Sequence, residues 1–229
     1  MKYIICIGDG MADWPIPSLG NKTPLDVAET PGLDGLVQAG QLARVRPAPP
    51  DLYPGSDVAN MGILGYDPLK YYTGRAPIEV AAKGIEIPAG HTAFRCNLVQ
   101  VKDGIMSSFT ANHIQTRDAD KHIQALNTYF SDWGLRFHTG TGYRHSMIVS
   151  GDYSDVICTP PHDITDKPIN RYLPSGAKSD YIRSIMTAAA TCLAETGISI
   201  WLWSQGIAPV LPSFKDQHNL TGGVISAVD

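Results

Sequence analysis

Lys2-Tyr3-Ile4-Ile5-Cys6-Ile7-Gly8-Asp9-Gly10 opens the chain with a short apolar run that halts at an acid flanked by two glycines. An uninterrupted apolar run rich in β-branched residues, rather than an alternating one, is what a parallel strand covered on both faces requires. The run predicts the first strand of an α/β sheet, with Asp9 at its carboxyl end, where ligands of such sheets collect. A carboxylate there suits a hard cation such as Mg or Mn, and it equally suits a turn or a helix cap. The apolar stretch ends too soon for a secretory signal.

Working outward, the 229 residues carry 18 Lys+Arg against 22 Asp+Glu, a net charge of −4 that excludes electrostatic capture of nucleic acid as a default. With 43% hydrophobic and 17% charged residues, neither disorder nor a coiled coil fits. Nothing approaches the roughly 18 consecutive apolar residues of a membrane helix, so a soluble, cytoplasmic protein is expected. Cys6, Cys96, Cys158 and Cys192 are scattered without a CxxC pair, which suits reduced thiols better than a disulfide framework. The 22 glycines and 17 prolines are spread along the chain and predict many short elements joined by turns.

Pro24 and Pro31 each follow a threonine and predict two short helix starts. Residues 41–46 read as a second strand. Alternation over 90–101 predicts a half-buried strand with Lys102-Asp103-Gly104 as its hairpin turn. An amphipathic helix over 112–130, strands at 135–138 and 145–149 and a Pro-rich loop at 159–176 complete an α+β unit. A helix over 179–194 and strands at 198–203 and 223–228 then predict a return to the first sheet. The fold expected is α/β: a mainly parallel core of residues 1–86 and 178–229, interrupted by a smaller insert at 87–177.

Pro54-Gly55-Ser56-Asp57 followed by apolar residues predicts a helix N-terminus at Ser56. Unpaired amides and the helix dipole there would stabilise an alkoxide or an attached phosphate, and Asn60, one turn on, can reach the same group. A serine hydroxyl is a weak nucleophile without a base or a metal, and a plain capping serine fits the same four residues.

Asp9-Gly10-Met11-Ala12-Asp13, the run PGSDVANMGILGYDP from Pro54 to Pro68, Gly74-Arg75-Ala76-Pro77-Ile78-Glu79, Phe94-Arg95-Cys96-Asn97, Tyr143-Arg144-His145, Pro161-His162-Asp163-Ile164-Thr165, Trp201-Leu202-Trp203 and Pro212-Ser213-Phe214 together resemble the archaeal-type 2,3-bisphosphoglycerate-independent phosphoglycerate mutases of the alkaline phosphatase superfamily. The resemblance runs the length of the chain, and the block around Ser56 is its most specific piece.

It implies an isomerase of glycolysis and gluconeogenesis that interconverts 3-phosphoglycerate and 2-phosphoglycerate through a phosphoserine at Ser56, without 2,3-bisphosphoglycerate. It also implies two divalent ions, Mn or Mg before Zn or Co, with Asp9 and Ser56 among the ligands. Arg95, Arg144, His145 and His162 fall in motifs of the insert and are implied substrate contacts, joined by Arg75 and Asp163.

Against the family pattern, the Glu195-Thr196-Gly197 connection is short and Ser204 stands where glycine is usual. Val224-Ile225-Ser226-Ala227-Val228-Asp229 reads as a central strand with nothing after it, so an N-terminal fragment is expected, its other metal ligands lying beyond Asp229. Such a chain would bind metal weakly and turn over little alone. The seven histidines show no HxxxH spacing, in keeping with that expectation. Another phosphatase or phosphomutase of the superfamily, or an anion-binding module, remains a rival, and the oligomeric state is open.

Overall fold

The computed structural model describes residues 2–8 and 10–225, so Asp9 and residues 226–229 lie outside the described residues. Two compact units make up the chain, residues 1–46 and 47–229.

The first unit holds a 3-10 turn at Pro17–Leu19 and helices α1 (Pro24–Val27) and α2 (Pro31–Ala39). Both helices begin at the expected prolines, whose fixed φ and missing N–H suit a first helical position. Thr23 and Asp26 close a reciprocal capping box: the Asp26 N–H donates to Thr23 Oγ1 at 3.1 Å, and the Thr23 N–H donates to Asp26 Oδ2 at 2.9 Å. The strands expected at 2–7 and 41–46 are not formed among the described residues, and Tyr3, Ile4 and Ile5 are exposed. A strand buried on both faces needs paired neighbours on its edges and helices above and below, and the described part of this unit supplies two short helices only.

The second unit begins with α3 (Ser56–Ile63), α4 (Pro68–Tyr71) and α5 (Arg75–Ala82). Then come β1 (His91–Lys102), β2 (Ile105–Ser108), α6 (Thr116–Tyr129), β3 (Leu135–His138), β4 (Arg144–Ser150), α7 (Ser179–Cys192), β5 (Ser199–Gly206) and α8 (Phe214–His218). β1 is the spine of a five-stranded sheet in which every pairing is antiparallel: β1 with β2, β4 and β5, and β4 with β3.

The pairing of one element departs from expectation: the strand at 198–203 pairs antiparallel with β1 instead of rejoining a sheet begun at residue 2. Flanked by strands and covered on both faces, β1 is buried almost end to end rather than half-buried. The expected helix at 112–130 starts only at Thr116, because Ala111, Asn112 and His113 all take left-handed φ angles of 46°, 55° and 56° that no α-helix accommodates. Residues 223–225 form no strand, and the rest of that expected element lies outside the described residues.

The pleat sends alternate residues of β1 to opposite faces. Phe94, Cys96 and Leu98 join Ile123 and Leu126 of α6, Ile182 and Ile185 of α7 and Leu202 of β5 in the main core. Ala93 packs with Ala76, Val80, Ile87 and Ile148 beneath α5 on the other face. Among the described residues no helix is long and apolar enough to cross a membrane.

Candidate active site

Arg95 and Asn97 share the α5 face of β1 with Ala93, and their register partners Trp203 and Trp201 on β5 share it too. Arg95 is 5% exposed, yet it carries a charge. Glu79, projecting from α5, makes that tolerable: Arg95 donates from Nε to Glu79 Oε2 at 3.0 Å, while Arg75, one turn earlier on α5, donates from Nε to Oε1 at 2.8 Å. Burial pulls the Arg95 pKa below its usual value, Glu79 pulls it back, and the neighbouring charges of Arg75 and Arg144 lower it further. The guanidinium lies 4.2 Å from the centre of the Trp203 ring. Trp203 is itself tied down, donating from Nε1 to Asn97 Oδ1 at 3.0 Å.

The Pro-rich loop closes over this face. Trp201 holds it by donating from Nε1 to the Thr159 carbonyl at 2.8 Å. His162, on the 3-10 turn Pro161–Ile164, packs edge-on against Trp203 with ring centres 5.4 Å apart, and its Nε2 lies 3.7 Å from Asp163. Phe109 continues the aromatic contacts from His162 to Tyr143, and the Arg144 guanidinium lies 4.9 Å from the Tyr143 ring centre. Arg144 is also the register partner of Asn97. Arg75, Arg95, Arg144, His162 and Asp163 therefore gather on one side of the sheet.

Ser56 is the first residue of α3, after Gly55 in the capping position, and it is exposed, as is Asn60 one turn on. The first-turn amides of any helix lack partners within it, so the hydroxyl stands at an anion-favouring end. The next residue, Asp57, accepts a hydrogen bond from the Tyr72 hydroxyl. Burial, followed by the Asp57 carboxylate, pushes the Tyr72 pKa well up, and the Ser204 hydroxyl beside the phenol pulls it partly back. The Arg75 N–H donates to Ser204 Oγ at 3.4 Å, so Tyr72 and Ser204 tie the start of α3 to the start of α5.

Ser204 sits at φ 51°, in the left-handed region that favours glycine, at the register shift between β1 and β5. Gly74, at φ 129°, passes so close to the Gln205 carbonyl that no side chain would fit. The bulge and the Gly-Arg start of α5 are thus locked together.

His145 does not join the cluster. As the register partner of Cys96 it points to the opposite face and is 1% exposed. Its Nδ1 accepts from the Gly140 N–H at 3.1 Å, and its buried Nε2 has no hydrogen-bond partner among the described residues. Burial drops its pKa to about 4. Asp9 lies outside the described residues. Sequence reading passed over Glu79, Tyr72, Asn97 and Trp203. Arg75 and Glu79 at i, i+4 within a quoted motif were a legible signal, whereas the Tyr72 link exists only in three dimensions.

A family model described as 2,3-bisphosphoglycerate-independent phosphoglycerate mutase matches residues 38–198, more than half of the chain. The chain belongs to this family. Mutases so named from Methanothrix thermoacetophila and Methanosarcina mazei are each 43% identical to it across 100% of its length, as against 39% for a probable one from Geobacter sulfurreducens. The chain spans 61% of the two archaeal mutases. Among solved structures, the cofactor-independent phosphoglycerate mutase of Thermoplasma acidophilum aligns over 92% of this chain and 60% of its own, with a TM-score of 0.52 and 26% identity. A Pyrococcus horikoshii protein, 22% identical, shares the fold over 91% of this chain and 52% of its own at a TM-score of 0.63.

The divalent ions implied by the resemblance need several hard or imidazole donors on one side of the fold. Among the described residues no group of three or more His, Cys, Asp or Glu side chains could hold a metal ion, so these residues do not fit a complete metal centre.

Proposed function

We propose that this chain carries the phosphoryl-accepting part of a phosphoglycerate mutase that needs no 2,3-bisphosphoglycerate, with Ser56 as the nucleophile. The observation that carries the reading is the linkage of the Ser56 helix, through Asp57, Tyr72 and Ser204, to the helix that bears Arg75 and Glu79. A nucleophile on one element and an anion-holding cluster on another must be kept in register for transfer, and this linkage supplies the register.

In the proposed reaction Ser56 Oγ attacks the phosphorus of 3-phosphoglycerate. The Oγ–P bond forms as the bond from phosphorus to the C3 oxygen breaks, the serine proton is lost, and the C3 oxygen gains one. Transfer back to the C2 oxygen after the glycerate turns gives 2-phosphoglycerate. Amides at the start of α3 face the charge that gathers on the transferring group, while Arg75, Arg95, Arg144 and His162 hold the anionic substrate by charge-assisted hydrogen bonds. His145, held on the far face, contributes packing instead.

Divalent ions, when bound, would activate the serine and neutralise phosphoryl charge. Asp9 and Ser56 stay expected ligands from the resemblance, and no step above passes through a metal. The division into a core of residues 1–86 and 178–229 and an insert of 87–177 that shields the phosphoenzyme belongs to the same proposal. So do a mainly parallel core sheet, a cytoplasmic location, and the absence of nucleic-acid and membrane partners.

The test is intact mass, on a protein of the relatives' full length, after incubation with 3-phosphoglycerate and Mn²⁺, with and without chelator. A gain of one phosphoryl group that Ser56→Ala abolishes is expected. A gain that survives Ser56→Ala, or its absence from the unaltered protein, would sink the reading.

A further inference from the structure

The Glu79 carboxylate is divided between two arginines, one oxygen to the Nε of each. A guanidinium offers five N–H donors in a rigid planar fork, so a partner at Nε leaves four on the two terminal nitrogens. Among the described residues, no terminal nitrogen of Arg75 or Arg95 has a hydrogen-bond partner, although Arg95 is only 5% exposed. The Arg75 side chain is 37% exposed, and among the described residues no terminal nitrogen of either arginine is both sealed from solvent and without a partner, so the arrangement is open to an acceptor from outside.

Its orientation is nonetheless fixed on every other side. Glu79 holds Nε, the Trp203 ring lies against the Arg95 guanidinium, and Asn97 anchors the indole while donating from Nδ2 to the Phe109 carbonyl at 3.2 Å. Two guanidiniums share one carboxylate and keep a net positive charge. The acceptor that completes such a pair is a compact oxyanion with several oxygens, and a phosphate group fits that description.

We propose that Glu79 is a positioning residue that presents the terminal N–H groups of Arg75 and Arg95 as one clamp for the phosphate group of the substrate. The choice of substrate rests on the mutase reading, whereas the clamp itself is a property of the anion site. Aspartate at position 79 keeps the negative charge but is one methylene too short to hold both Nε atoms. A role limited to neutralising Arg95 would survive that change, and a positioning role would not.

The experiment titrates the protein with inorganic phosphate and separately with 3-phosphoglycerate by calorimetry, for the unaltered chain, Glu79→Asp, Glu79→Gln and Arg95→Lys. Circular dichroism and the urea midpoint report folding, and ¹⁵N spectra follow the Arg95 side-chain signals. The unaltered chain should bind both anions with shifts at Arg95. Losing one well-aimed charge-assisted hydrogen bond corresponds to a roughly tenfold weakening, expected for Glu79→Asp and Arg95→Lys alike. Should Glu79→Gln fail to fold, Glu79→Asp decides.

Glu79→Asp binding phosphate as tightly as the unaltered chain, or no phosphate binding by the unaltered chain, would overturn the clamp. Phosphoserine formation that Glu79→Asp leaves untouched would overturn the clamp while keeping the mutase reading. Phosphate binding that Glu79→Asp weakens, in a protein that never phosphorylates Ser56, would keep the clamp and remove the mutase.

Discussion

None of the described residues between 2 and 46 is buried, whereas residues 47–225 enclose a core that includes the fully buried Phe94, Leu126, Ile182 and Trp201. Both regions contain apolar runs of similar character: Ile4-Ile5-Cys6-Ile7 in the first and Ile200-Trp201-Leu202-Trp203 in the second. What separates them is partners. The second run has β1 along its edge and α7 against its face, while the first has no paired strand among the described residues. Local signals therefore suffice for capped helices in either region, and a strand exists only where another strand receives it.

The largest test of this contrast is truncation of apolar side chains. Phe94→Ala should cost about 3–5 kcal/mol in urea unfolding, because it leaves a cavity in a close-packed core. Leu36→Ala, at a residue 71% exposed, should change stability by about 0.5 kcal/mol or less. Equal costs at the two sites would erase the distinction.

Next in size is a pH dependence confined to the second unit. The His145 pKa falls from 6.5 to about 4 on folding. Its neutral form is therefore the one the fold stabilises, and between those values the unfolded chain binds more protons. Stability from this residue is complete above pH 6.5 and declines as pH falls toward 4, by up to about 3 kcal/mol. Lys83, Asp120 and His122 are the charged and titratable groups that act on it. His145→Phe should flatten this part of the urea-midpoint profile, and an unchanged slope would show that the burial does not act through this imidazole.

The smallest effect belongs to the first unit. Thr23→Ala removes half of a capping box and should cost about 1 kcal/mol at most, seen as faster amide exchange around α1 with little change in the global transition. A large global loss would mean that the first unit folds as one with the second.

Most of the second unit was legible in the sequence. Ser56 marks a helix start there, as Pro24 and Pro31 do in the first unit, Lys102-Asp103-Gly104 marks the β1–β2 turn, and α6, α7, β3, β4 and β5 lie close to where periodicity places them. The sheet that joins the strands was not legible, because an apolar run specifies burial and leaves both partner and direction open. The candidate site divides along the same line. Arg75, Arg95 and Arg144 were readable as cations in distinctive motifs and His162 as a ring beside them, but His145 sits beside Arg144 in sequence and on the opposite face of β4 in space. One residue of pleat separates a ring in the core from a guanidinium at the site.

The amino-acid sequence by itself determined the family, the helix starts, the β-hairpin and the set of cations, because each is written in residues adjacent along the chain or at fixed local spacing. Tertiary structure decided that β5 pairs with β1, that Glu79 divides its carboxylate between two arginines, that Tyr72 ties the Ser56 helix to α5, and that His145 is buried. Those outcomes depend on residues distant in sequence meeting across a sheet whose pairing is set by the packing of the whole unit.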